Sequence, residues 1–391
     1  MIKLMLLLDV ASEFDRRLIR GLVRYSRENG DWQFFRVPLP LQYKSVDGSG
    51  AHIVNLARNW GANAIVGRWL CNDTSLLSSL GIPVVIQNYR ERSREFSNLT
   101  GDYVGTGKIA AQYFQSAGMP HFAYFGVGDV IWSEERREGF VRELADAGHE
   151  VDCMMIEQTV LHEREQVGRW LRNLPKPVGL FCCDDAHALS ISEVCRAEGI
   201  SIPGDISLLG VDNDELLCGI SDPEISSINL DVEHAGYLLG KRIHSRLQEN
   251  SREPFSIVVK PGAITFRAST GVRSVSDPYV QKVIEFILVH FAEDITLEDV
   301  LSQVPLSRRS MELRFKKEMA PMTLHRFLLY CRVEHFARLL ASSDRPIPEL
   351  AVRSGLAGDS NLSRTFRRFM NCSPQEYRQR VRNRSQGSFA I

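Results

Sequence analysis

Arg308, Arg309 and Glu312 fall at the spacing of one exposed helical face, and their side chains have the chemistry of base recognition. A guanidinium can donate two parallel hydrogen bonds to guanine, and a carboxylate can accept from the amino group of cytosine. About fifty residues on, Ser360, Asn361 and Arg364 repeat the plan, and an asparagine can bond adenine bidentately. We assign Arg308, Arg309, Asn361 and Arg364 to bases. Arg314, Lys316, Lys317, Arg367 and Arg368 are assigned to phosphates, which fix register without reading sequence.

These side chains need helices to aim them. Ser307 can cap a helix by accepting from the backbone N–H of residue 309 or 310, leaving Met311 and Phe315 to pack inward. In the second copy a helix from Ile347 to Ser354 leads through Gly355 and Gly358 to Asp359, the expected cap of a helix anchored by Leu362, Phe366 and Phe369. Each copy reads as a helix-turn-helix. Between them, residues 323–341 carry Phe327, Leu328, Val333, Phe336, Leu339 and Leu340 as an apolar stripe, which would hold the motifs at a fixed separation. Two such motifs in one chain can meet adjacent major-groove segments about one helical turn apart without a dimer.

Charge supports this division. Residues 302–384 carry 17 Lys or Arg against 7 Asp or Glu, while the remainder carries 30 against 41, so a near-neutral chain conceals a basic end and an acidic body. A basic segment beside an acidic one is the electrostatic footprint of a nucleic-acid binder fused to a domain with another task.

In the acidic body, Asp212 and the pair Asp184 and Asp185 follow apolar strands, and Arg136 begins a helix beside Trp132. Carboxylates, a guanidinium and an aromatic ring are what a receptor needs for a pyranose, which offers several hydroxyls and an apolar face. Phe14, Asp15 and Arg16 are further candidates from the first loop. Asp184 and Asp185 could equally be helix caps, and Trp132 could belong to the core.

The body alternates strands (2–9, 32–37, 64–69, 83–88, 122–127, 151–156, 178–183, 206–212 and 255–269) with helices such as 15–30, 104–118, 135–148 and 186–199. Near-continuous apolar strands alternating with helices that end at glycine imply parallel sheets covered on both faces, with ligands at the carboxyl ends of the strands. One series ends near Gln87, a crossover follows at residues 99–107, and a second series runs from Phe122 to Asp212, so two lobes with a cleft between them are expected. Periodicity fades from Ile264 to Pro278, and Asp277 with Pro278 starts a new helix. The expected organisation is an α/β two-lobed domain at 1–270, a linker at 271–279 and an all-α double helix-turn-helix domain at 280–391.

Residues 280–382 resemble the AraC-type DNA-binding domain. The resemblance is carried by Ser307, Leu313, Phe315, Lys316, Arg332, Leu339, Leu340, Pro346, Ile347, Leu350, Ala351, Gly355, Ser360, Phe366 and Ser373-Pro374 with Tyr377 and Arg378. Departures are Ala320-Pro321 in place of a glycine, one residue inserted before Arg332, Phe336 for an alanine, Leu356 for a phenylalanine and Asn371 for a glycine.

Residues 2–270 resemble the periplasmic-binding-protein-like sugar sensor of LacI-family regulators, through Phe14-Asp15-Arg16, Trp132 with Arg136 and Gly139-Phe140, Asp185, and Gly210-x-Asp212-Asn213-x-Glu215. That family's N-terminal helix-turn-helix is not expected here, since the first strand begins at Ile2. The resemblance places Arg136, Asp184, Asp212 and Asp102 at sugar-contacting positions, and Leu230 where a polar residue often contacts ligand.

A sensor of this kind joined to an AraC-type domain resembles bacterial regulators of xylose operons. It implies a sugar-responsive, sequence-specific regulator, expected to be an activator, with D-xylose the first candidate effector. RNA polymerase and a second copy of the chain are the expected partners, in the cytoplasm and without a cofactor. The alternatives are a repressor or constitutive activator answering another sugar or a partner, and an enzyme acting on a sugar. Against the enzyme, the chain has no P-loop, G-x-S-x-G or H-E-x-x-H. The eight cysteines show no C-x-x-C pair and read as reduced core thiols, with no metal site expected. No run of about 18 uncharged apolar residues marks a membrane span.

Overall fold

Strand β1 (Ile2–Leu7) is buried from Leu4 onward, as a strand covered by helices on both faces must be. The computed structural model describes residues 1–38, 50–69, 71, 74–157, 163–270, 277–319, 323–343, 345–356, 362–370 and 372–379. The chain divides into two units, one formed by Met1–Gln112, His121–Ile202 and Ile206–Thr270, the other holding the helices beyond residue 277.

The first unit contains two six-stranded sheets. One joins β1 with β2 (Trp32–Arg36), β3 (Ala64–Gly67), β4 (Val84–Gln87), β5 (Ser97–Gly101) and β11 (Ser256–Val259), in the order β11-β5-β4-β3-β1-β2, all parallel. The other holds β6 (His121–Val127), β7 (Val151–Ile156), β8 (Val178–Cys182), β9 (Ile206–Val211), β10 (Ser226–Leu230) and β12 (Pro261–Thr265), in the order β12-β10-β9-β8-β6-β7. Only β12 runs antiparallel to its neighbour.

Helices α1 (Glu13–Glu28), α2 (Ala51–Trp60) and α3 (Ser75–Ser78) belong to the first series. They are followed by α4 (Tyr103–Ser116), α5 (Ile131–Asp146), α6 (Arg164–Asn173), α7 (Asp185–Glu198), α8 (Glu215–Ile220) and α9 (Val232–Gln248). The chain passes between the sheets three times, after β5, after β10 through α9, and at Lys260 between β11 and β12. Each sheet is therefore the centre of a lobe, and the expected cleft has a lobe on either side. Helices α1 and α9 pack backbone to backbone, because Gly21 and Gly236 leave no side chain between them; a β-carbon at Gly21 would collide with the carbonyl oxygen of Glu233.

Two expectations change. The strand expected over 255–269 is two strands in different sheets, broken at Lys260 and restarting at Pro261, a residue tolerated at a strand start. Strands β5 and β10, of sequence SNLTG and SSINL, carry too few apolar residues to be read as buried strands. Their Asn98 and Ser226 side chains are buried with hydrogen-bond partners. Asn98 Oδ1 accepts from Asn88 Nδ2 at 2.8 Å and from the Ser93 backbone N–H at 2.8 Å, and Ser226 Oγ accepts from the Arg267 N–H at 2.7 Å.

The second unit contains α10 (Pro278–His290), α11 (Leu297–Leu301), α12 (Arg308–Met319), α13 (Leu324–Ser342), α14 (Ile347–Arg353) and α15 (Leu362–Met370). Asp277 caps α10 as expected, accepting from the N–H groups of Tyr279 and Val280 with Pro278 in the first turn. Two cores form along α13. Leu324, Phe327, Leu328 and Cys331 pack with Met311 and Phe315, while Val333, Phe336, Ala337 and Leu340 pack with Leu350, Leu356 and Phe366. The long helix is thus the shared spine of both motifs.

Candidate effector cleft and DNA-reading face

In the first unit the carboxyl ends of β1, β3, β4, β8 and β9 bring polar side chains together, as a doubly wound sheet requires of a binding site. On one lobe, Asp15 is fully buried at the start of α1. Its Oδ2 accepts from the Asp9 backbone N–H at 2.7 Å and faces Arg68 Nη2 at 3.5 Å, and its Oδ1 accepts from Gln87 Nε2 at 3.2 Å. Burial raises the Asp15 pKa although Arg68 opposes it. Asp15 therefore anchors Arg68 and Gln87 from beneath. Phe14 beside it is half-buried. Arg16 donates to the carbonyls of Val10 and Ala11 and reaches Asp214 of the opposite lobe at 3.8 Å. Asp102, after β5, accepts from the Gly105 N–H at 3.0 Å and meets Lys260 at 3.5 Å.

On the other lobe, Arg136 is 3% exposed. Its guanidinium donates to the Cys183 carbonyl, faces Asp212 Oδ1 at 3.7 Å, and lies 5.5 Å from the Tyr103 ring and 5.6 Å from the Trp132 ring. Its Nε is buried without a hydrogen-bond partner, as is Asp185 Oδ1 nearby. Asp212 sits in the left-handed region at φ +101°. Burial, with the Asp184 charge adding to it and Arg136 opposing it, pushes its carboxyl up to about 6.

Asp184 is the cap of α7, accepting from the His187 N–H at 2.8 Å and pairing with His187 Nδ1 at 2.6 Å. Burial alone would raise Asp184; the His187 pair and its hydrogen bonds outweigh it and hold the carboxyl below its ordinary value. His187, which burial would lower, is raised by the Asp184 charge and its hydrogen bond, so the pair is ionised at neutral pH. Asp185 is 1% exposed, and its Oδ2 accepts from the Asp214 N–H at 2.8 Å. Burial first, then the Asp212 charge, raises its pKa well above the carboxylate range. Of the adjacent pair, Asp184 faces the polar cluster and Asp185 ties α7 to the loop after β9. The Cys183, Asp184 and His187 donor atoms lie within 4.8 Å of one another, a group of metal-ligand types. Burial keeps the Cys183 thiol protonated, and the Asp184 oxygen is already bonded, so this group is satisfied by its own ion pair.

The lobes touch on both flanks through polar contacts. Arg17 donates to the carbonyls of Asp212 at 3.3 Å and Asn213 at 3.0 Å, while Arg92 Nη2 bonds Glu135 at 2.7 Å and the Ile131 N–H bonds the Tyr89 carbonyl at 2.9 Å. Sequence reasoning did not single out Arg17, Arg68, Gln87, Tyr103 or His187. Arg68 and Gln87 stand at the ends of expected strands, and that position was the available signal. Leu230 is buried.

In the second unit Ser307 caps α12, accepting from the Ser310 N–H at 3.3 Å, and Met311 and Phe315 are fully buried, as expected. The opposite face presents Arg308, Arg309, Glu312, Leu313, Lys316 and Lys317. Glu312 bonds Arg308 at 3.1 Å. Arg314 has a partner inside the domain: it pairs with Asp277 and lies 5.7 Å from the Tyr279 ring, which gives it a role in holding the α10 cap. On α15, Arg364, Arg367 and Arg368 are exposed and Phe366 is buried. Ser360 and Asn361 lie outside the described residues, as do Asp359, Ala320, Pro321 and Asn371.

The motifs are also locked together directly. Arg332 of α13 donates to the carbonyls of Phe291 at 2.8 Å, Glu293 at 3.1 Å and Ile295 at 2.7 Å, and Gly355, at φ +74°, packs on the first two of them.

Residues 111–270 match the family model of a periplasmic binding protein-like domain, and residues 301–380 match that of a helix-turn-helix domain. The chain is similar to the xylose operon regulatory protein of Escherichia coli K12, 23% identical over 96% of each chain. It is also similar to that of Haemophilus influenzae, 27% identical over 72% of this chain and 75% of the relative. Among solved structures, that of xylose-binding transcription activator xylR covers 96% of this chain and 97% of its own, with 23% identity and a TM-score of 0.59, so the two share a fold.

Proposed function

We propose that this chain, a periplasmic-binding-protein-like domain followed by a helix-turn-helix domain, is a sugar-responsive transcription regulator. It binds a small sugar between its two α/β lobes and double-stranded DNA through its paired motifs. D-xylose is the first candidate effector, in keeping with the relatives described as xylose operon regulatory proteins, and activation of a pentose-utilisation operon is the expected output. We take residues 1–270 as the effector domain and 280–391 as the DNA-binding domain. The chain is proposed to work in the cytoplasm as a homodimer with RNA polymerase as its downstream partner.

The observation that carries the reading is Arg136. It is a buried cation between two aromatic rings and beside an aspartate, with one buried N–H unused. Hydroxyls of a sugar can accept from that N–H and donate to Asp212 and Asp184, while Trp132 or Tyr103 offers a face to the ring. Glycosidases also place two carboxylates around a sugar. Here Asp184 is committed to His187 and a helix cap, so the cleft is fitted for binding, and regulation follows from it.

Sugar acts by shifting a population. The flanking contacts of Arg17 and Arg92 are few and polar, so a ligand bonded to both lobes can favour one arrangement of them over another. The test is fluorescence anisotropy of the full-length protein on a duplex selected from a randomised library, with and without D-xylose. A sugar-dependent change in affinity or in complex stoichiometry supports the reading; identical binding with every pentose and hexose tried rejects it.

A further inference from the structure

We propose that Leu313 is a base-reading residue that recognises the C5-methyl group of a thymine in the major groove, an inference that rests on the DNA-binding reading above. Leu313 is 62% exposed at the middle of α12. The rotation of that helix about its axis is fixed by Met311 and Phe315, both fully buried, so Leu313 is held outward. A single exposed leucine is ordinary on a protein surface, but this one stands on a face that is otherwise charged.

The outward face of α12 is otherwise charged, and its charges divide by their partners. Arg308 and Glu312 bond each other, and Arg314 is taken by Asp277. Arg309, Lys316 and Lys317 have no partner among the described residues. Leu313 stands four residues after Arg309 and four before Lys317, so the three form one row along the helix. An arginine suited to guanine, a branched apolar side chain and a lysine suited to phosphate then enter the groove in sequence. Thymine alone among the bases offers a methyl group on its major-groove edge, and an apolar side chain is its complement. Among the described residues of this unit the other exposed large apolar side chains, Tyr279, Val289 and Val352, lie on α10 and α14, outside the two helices assigned to bases.

The test removes the methyl group and nothing else. A duplex is selected from a randomised library with the full-length protein, each thymine in its footprint is replaced singly by deoxyuridine, and affinity is measured at fixed salt for wild type and Leu313→Ala. Alanine at an exposed helical position keeps the fold. The expected result is one thymine, in the segment facing the first motif, whose loss weakens wild type by about fourfold, the scale of one buried methyl group, and leaves Leu313→Ala unaffected. Wild type indifferent to every methyl, or Leu313→Ala retaining the discrimination, overturns the inference while the DNA-binding reading stands. A library that yields no enriched sequence overturns both.

Discussion

The guanidinium of Arg136 faces the carboxylate of Asp212 at 3.7 Å across the carboxyl ends of β8 and β9, too far for a hydrogen bond and close enough for strong attraction. The pair is held apart by its surroundings. Arg136 is fixed by the Cys183 carbonyl, and Asp212 by its left-handed backbone and by the Arg17 bonds to its neighbourhood. A sugar hydroxyl can donate to Asp212 while its oxygen accepts from Arg136. Asp212→Asn is expected to weaken sugar affinity by about tenfold to a hundredfold, the loss of one charge-assisted hydrogen bond, with DNA affinity in the absence of sugar unchanged. Isothermal titration with sugar and anisotropy with DNA read the two separately.

The carboxyl of Asp212 ionises at about 6 in the folded protein, above its ordinary value of 3.8. Its contribution to stability is therefore fully present below the unfolded value and is lost as pH rises through about 6. Denaturant unfolding should show wild type losing stability relative to Asp212→Asn between pH 4 and pH 7. Sugar affinity should run the other way, falling below pH 6 as the acceptor is protonated. A variant whose difference from wild type is constant across that range contradicts the assignment.

Gly355 cannot carry a side chain without moving the first motif. A β-carbon there would lie 2.5 Å from the Phe291 carbonyl oxygen, and φ is +74°. Gly355→Ala should destabilise the helical unit by about 1–3 kcal/mol and loosen the spacing of the motifs, so affinity falls for a two-segment site. Stabilisation by sugar should persist, because the cleft is built within the other unit. Two unfolding transitions in calorimetry, with only the helical one shifted, is the expected record.

Arg364 and Lys316 should fail differently. Arg364→Ala is expected to relax sequence preference at one position by about 1–3 kcal/mol, whereas Lys316→Ala should weaken all sequences alike and reduce the salt slope by about one. Arg314→Ala should leave that slope unchanged and lower stability, because its charge is spent on Asp277. Equal loss on every sequence for Arg364→Ala removes it from the bases.

The two lobes and the double helix-turn-helix were legible because apolar runs and helical stripes are local patterns. The Phe327 to Leu340 stripe divides into the two cores as its spacing required. Strands β5 and β10 were not legible, since their Ser and Asn side chains are buried through bonds, such as those of Asn98 to Asn88 and Ser226 to Arg267, that an apolar pattern does not reveal. The cleft was half legible for the same reason. Asp212 and Asp184 stand at recognisable strand ends. Arg136, expected to begin a helix, lies in the second turn of α5, which starts at Ile131; Tyr103 reaches it from the start of α4, and Arg68 and Gln87 are oriented by Asp15. Arg314 read as a phosphate contact because its partner Asp277 is 37 residues away.

Thermal unfolding of the full-length protein against millimolar pentoses and hexoses reads sugar binding to the cleft, because a ligand at 100 times its dissociation constant stabilises by about 2.7 kcal/mol. The expected result is a shift with D-xylose that falls to about 0.4–1.4 kcal/mol in Asp212→Asn, as a tenfold to hundredfold weaker affinity requires. No shift with any sugar, or an equal shift in the variant, contradicts it.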